Sequence, residues 1–173
     1  MRILIIFLFL LVAGSVRSQD FPLDFTGHWE GELQWFQPGK PEPRKIRMQL
    51  VIKPTDTVNV YTWHLIYGEK NEDSRPYLLK SVDYAKTHWV IDERNDIILD
   101  YYWLGSHFAG TYTVGSGTIF NHFSLNGDEL VAEFYSVTAK PVNTTGKGTD
   151  DIPFVESYAA RSYQKAVLKK KKG

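Results

Sequence analysis

The stretch DIILDYYWLGSHFAGTYTVGSGTIFNHFSLNGDELVAEFYSVT, Asp96 to Thr138, decides the fold. Four runs rich in β-branched and aromatic residues, Asp96 to Leu104, Ser106 to Val114, Thr118 to Leu125 and Glu129 to Thr138, are separated only by Gly105, Gly115-Ser116-Gly117 and Asn126-Gly127-Asp128. A parallel return needs a crossover of a dozen or more residues, so runs joined this tightly pair antiparallel, each beside the next. Asn-Gly tolerates positive φ at both turn positions and is the strongest short hairpin signal. Apolar residues do not recur at helical spacing anywhere in the stretch.

Upstream the pattern repeats. Phe25 to Phe36 sets Trp29, Gly31, Leu33 and Trp35 on one face and His28, Glu30, Glu32 and Gln34 on the other, a period of two. Three prolines between Gln37 and Pro43 lack the amide donor and mark a loop. Ile46, Met48, Leu50 and Ile52 form a second strand; Thr57 to Tyr67, apolar on both faces, forms a third. Glu69 to Ser74 reads as a charged turn, then Tyr77 to Tyr84 and Thr87 to Asp92 as two more strands before the opening stretch.

Downstream, Pro, Asn, Thr, Gly and Asp dominate, and the segment near 140–153 reads as a long mobile loop. Asn143-Thr144-Thr145 within it fits a glycosylation sequon, which matters only on a eukaryotic secretory route. Phe154 to Leu168 carries helix formers such as Ala159 and Ala160 but also alternates, and a barrel needs a last strand to meet its first. A strand from about Glu156 to Leu168 is therefore expected. The lysines Lys169 to Lys172 read as a solvated basic tail.

The chain begins with Arg2, the apolar run Ile3 to Ala13 and the small residues of Val16-Arg17-Ser18, the layout of an export signal over 1–18. The run is short for a membrane span, so a secreted or periplasmic protein without a stable membrane anchor is expected, one domain over 19–173. Removing Arg2 and Arg17 leaves 18 basic against 20 acidic residues, which disfavours nucleic acid as a partner. There is no cysteine, hence no disulfide and no thiolate chemistry.

About ten antiparallel strands with short successive turns favour a closed up-and-down β-barrel, an all-β fold without exposed edges. Gly27-His28-Trp29 on the first strand resembles the Gly-x-Trp signature that opens lipocalins and their calycin relatives. That resemblance implies a lipocalin/calycin-like barrel and places Arg161 over the Trp29 indole as a structural plug. Gly27-His28-Trp29-Glu30-Gly31 is also similar to the opening of nitrobindin-like ten-strand barrels, whose relatives bind haem. The Thr-Asp-Tyr of lipocalins has only a partial echo, in Val82-Asp83-Tyr84.

A barrel of this size is either filled by its side chains or holds one small ligand. Trp35, Tyr61, Trp63, Tyr101, Trp103, Tyr112 and Phe134 are the expected ligand-binding residues, with indole and phenol groups to orient an apolar or amphipathic molecule. No Gly-x-Ser-x-Gly, His-Glu-x-x-His or glycine-rich phosphate loop is present, and no catalytic residue, cofactor or metal is assigned. Three other readings stand beside this one. A hydrolase or isomerase would use His64 and Asp100, turned inward. A haem barrel would use an inward His107 or His122. A solid interaction module would dock a protein partner through the face around Tyr101 to Leu104.

Overall fold

A computed structural model of the protein describes residues 19–83 and 87–171. The predicted export signal, the Tyr84 end of the fourth predicted strand and Lys172 lie outside the described residues. After a 3-10 turn at Leu23–Phe25, nine strands run up and down, each beside the one before. They are β1 (Gly27–Phe36), β2 (Arg44–Ile52), β3 (Val60–Tyr67), β4 (Asp73–Asp83), β5 (His88–Asp92), β6 (Ile98–Leu104), β7 (His107–Val114), β8 (Gly117–Asn126) and β9 (Glu129–Thr138). A small hairpin follows, β10 (Asn143–Thr145) with β11 (Val155–Ser157), and β12 (Ala160–Lys170) then returns between β9 and β1. The ten long strands close an antiparallel barrel with almost no helix.

Closure rests on the seam where β1 pairs β12 from Trp29 opposite Lys170 to Phe36 opposite Tyr163. Gly31 sits in this seam because the strands leave no room for a side chain there. A Cβ at Gly31 would stand 2.3 Å from the backbone oxygen of Val167 and 3.1 Å from Leu168 Cδ2. The closing strand extends past the predicted Leu168, so Lys169 and Lys170 belong to the sheet rather than to a free tail. Lys169 lies 3.7 Å from the Glu129 carboxylate, and Lys171 lies 3.7 Å from that of Glu30. The segment near 140–153 is not structureless throughout, since Asn143–Thr145 pairs with Val155–Ser157.

β4 also starts earlier than expected, at Asp73, and runs through Pro76. The proline is accommodated because β5 joins β4 only from Leu78 onward, opposite Asp92, leaving the first part of β4 laddered to β3 alone.

Alternation along every strand turns one row of side chains inward, and the interior divides into two halves. At the end where β1 starts it is solid. Phe21 stacks on Phe108 at 4.3 Å and on Trp103 at 5.1 Å, and Phe25 meets Trp103 edge-on at 5.7 Å. Trp29 is buried beneath them and its Nε1 donates to the Phe25 carbonyl oxygen at 2.8 Å, tying the 3-10 turn across the barrel base. Each ring buried this way contributes about 1.5–3 kcal/mol. The cation over the Trp29 ring is Lys170, with Nζ 5.2 Å from the centroid. It is not the expected Arg161, which lies at the opposite end of β12, where its guanidinium donates to Ser116 Oγ at 3.1 Å. Trp29 thus forms the plug with Phe21, Phe25 and Lys170.

Candidate functional site

The other half of the barrel is hollow. A cavity of about 780 Å³ opens at the end where β1, β3, β5, β7 and β9 finish and β2, β4, β6, β8 and β12 begin. Of the residues expected to bind a ligand, Trp35, Trp63, Tyr101, Tyr112 and Phe134 line it. Trp103 does not, being stacked in the plug against Phe21. Tyr61 also lies outside it, edge-on to Trp89 at 6.3 Å near the closed end.

The floor is aromatic. Trp63 packs edge-on against Phe123 at 4.9 Å and Phe108 at 5.4 Å, Tyr101 stacks on Phe108 at 4.8 Å, and Phe134 meets Phe123 edge-on at 5.7 Å. A continuous set of rings therefore joins plug to cavity through Phe108. Tyr101 owes its place to Gly110, its cross-strand partner on β7. A Cβ there would stand 2.9 Å from three ring carbons of Tyr101, so only glycine lets the phenol lie across that strand. On the far side of Gly110 its β8 partner is Asn121, buried at 2% exposure. The Asn121 amide faces the hydroxyls of Tyr101 and Tyr112 and works against the burial that raises both phenol pKa values, that of Tyr101 well above its ordinary value.

Around the mouth the lining becomes charged. Arg75 grips Asp73 with Nε at 2.9 and 3.1 Å from the two carboxylate oxygens and a terminal nitrogen at 2.6 Å, and its Cζ lies 5.2 Å over the Tyr67 ring. The hydrogen bond to Arg75 holds the Asp73 carboxyl below the usual range, and the same bond keeps Arg75 firmly protonated. Burial pushes the Tyr67 phenol up, and burial followed by the Glu93 carboxylate does the same to Tyr77. Arg44 stands at the rim with its Cζ 5.9 Å over the Trp35 ring. These mouth residues are absent from the sequence-based set. Asn121 carried a usable signal, since it is in phase with the inward Ile119 and Phe123; Asp73 sat in what reads as a charged turn, and Arg75 between that turn and the strand expected from Tyr77.

Three lining side chains keep a buried polar atom without a hydrogen-bond partner among the described residues: Trp35 Nε1, Trp63 Nε1 and Asn121 Oδ1.

The pleat that turns aromatic residues inward turns the histidines outward, which overturns the readings built on them. His64 lies between the inward Trp63 and Leu65 and bonds Ser74; Asp100, next to the inward Tyr101, pairs with His88 at 2.7 Å. They share no site. His107 and His122 flank the inward Phe108 and Phe123, contact each other on the outer wall at 5.2 Å, and His122 bonds Glu133 at 3.1 Å. Neither reaches the cavity to ligate a haem. The docking face loses Trp103 to the plug, while Tyr102 and Leu104 are exposed.

The raised phenols give a measurable signature. A phenol is neutral while protonated, so a folded-state pKa above the unfolded value of about 10 means stability is complete below that value and is lost as pH rises past it. Tyr67 and Tyr101 are therefore expected to ionise only as the barrel unfolds, lagging the exposed members of the ten tyrosines in an alkaline absorbance titration. Thermal stability should fall over the same range, less steeply in Tyr101→Phe. Ionisation of every tyrosine in one step near the ordinary value, with the fold intact, would contradict this burial.

No protein-family model matches the chain, and no curated protein matches its sequence.

Proposed function

We propose that this is an exported binding protein of calycin-like architecture that holds one small amphipathic molecule in the open half of its barrel. The observation that carries the reading is the cavity of about 780 Å³, within the range of pockets that enclose small ligands and mostly walled by rings and aliphatic side chains. Its polar and charged side chains, most of them toward the mouth, suit an amphipathic ligand better than a plain hydrocarbon. A hollow of this size also speaks against the solid interaction module. Binding by shape and hydrogen bonding, with no chemistry on the ligand, is the reading that the lining supports, because two of its five charged side chains, Asp73 and Arg75, pair with each other at the rim and a third, Arg44, lies over the Trp35 ring, rather than standing about a nucleophile.

The test uses 1-anilinonaphthalene-8-sulfonate. Saturable one-to-one binding with quenching of tryptophan fluorescence is expected. Ser136→Trp, which adds an indole to the lining, should weaken it by roughly tenfold or more by filling the space. Absence of saturable binding, or binding that Ser136→Trp leaves untouched, would remove the cavity from the function.

A further inference from the structure

The floor and the mouth of the cavity differ in a way that sorts ligands. All the charged lining residues, Arg44, Glu72, Asp73, Arg75 and Glu93, belong to the strand ends and loops of the open end. At the depth of Trp63, Tyr101 and Asn121 the lining is uncharged. Two floor residues nevertheless carry unmet hydrogen-bonding demand. Trp63 is fully buried and its indole Nε1–H finds no acceptor among the described residues; Asn121 is 2% exposed and its Oδ1 finds no donor among them. They stand on β3 and β8, opposite each other across the barrel; Trp63 packs edge-on against Phe123, and Asn121 stands two positions before Phe123 on β8, opposite Phe134 of β9. Native interiors leave few such atoms unpaired, and each one left so carries a penalty.

We infer that the ligand enters polar end first and presents an uncharged hydrogen-bonding group to this floor, an acceptor toward Trp63 Nε1 and a donor toward Asn121 Oδ1. A primary or secondary carboxamide has both. An ionised head group is disfavoured at that depth because no opposite charge is there to offset its desolvation. Charge on the ligand belongs at the other end, beside Arg44, Arg75 and the mouth carboxylates. This assignment rests on the cavity being the binding site and adds to it the chemical class and the orientation of the occupant.

Three probes of one shape separate the two ideas: 2-naphthamide with donor and acceptor, methyl 2-naphthoate with an acceptor only, and 2-ethylnaphthalene with neither, each titrated by tryptophan quenching. The expected order of affinity is amide, ester, hydrocarbon, with about tenfold or more between first and last. Asn121→Leu should erase the advantage of amide over ester, and Trp63→Phe that of ester over hydrocarbon. Either variant alone suffices if the other fails to fold. Equal binding of all three probes to the unaltered protein, as water filling the floor would produce, overturns the inference and leaves the cavity reading standing. No binding by any probe removes both.

Discussion

Replacing Phe25 with alanine is expected to cost about 3–5 kcal/mol of stability, lowering the unfolding midpoint by roughly 10 °C or more for a chain of this size. Phe25 is fully buried in the 3-10 turn that crosses the barrel base, against Phe21 and Trp103. Its loss leaves a hole whose walls are strands hydrogen-bonded on both sides, and such walls collapse poorly. The cost should therefore exceed simple transfer of the ring to water. Denaturant unfolding followed by tryptophan fluorescence reads the change directly. A loss under about 1 kcal/mol would mean that the turn only rests on the base without plugging it.

Gly31→Ala is the second substitution with a large expected effect, although it adds a single carbon. The new Cβ meets a backbone oxygen at 2.3 Å, and neither β1 nor β12 can yield without stretching the ladder that joins the first strand to the last. Overpacking of this kind costs about 1–3 kcal/mol. Faster hydrogen exchange should concentrate at seam amides such as those of Leu33 and Ala166 rather than spread around the barrel. Glu32→Ala, one residue along on the outer face, serves as the control and should stay within about 0.5 kcal/mol of the parent. Similar losses in the two variants, or exchange that rises evenly on all strands, would count against a tight seam.

The difference between these neighbours shows what the sequence makes legible. Alternation separates the two faces of a strand, as it did for Trp35 on β1, but it left Trp63 on a strand apolar on both faces; Trp35, Trp63, Tyr101, Tyr112 and Phe134, chosen as rings on strands, line the cavity. Trp103 and Tyr61 also point in, yet sit at the filled end. Depth along a barrel depends on register and stagger between strands, which no single strand records. Polar residues in the inward row are harder still. Asn121 interrupts an apolar row without changing its phase, while Asp73 lies in a segment whose charge suggests a turn and Arg75 in the gap between that turn and the strand expected from Tyr77. The lysine over Trp29 was hidden because a run of lysines looks like a tail until the strand before it is found to continue through Lys170. Histidines misled for a simpler reason: each is adjacent in sequence to an inward aromatic and so must face solvent.

That the strand meeting β1 comes after all the other described strands has a consequence for biosynthesis. A nascent chain emerges with β1 through β9 already able to zip into a curved sheet, but with two unsatisfied margins, one on β1 and one on β9, until Ala160–Lys170 arrives. During that interval the half-made molecule is a template for pairing with its neighbours. Emergence of Ala160–Lys170, more than any earlier local folding step, is what removes the hazard.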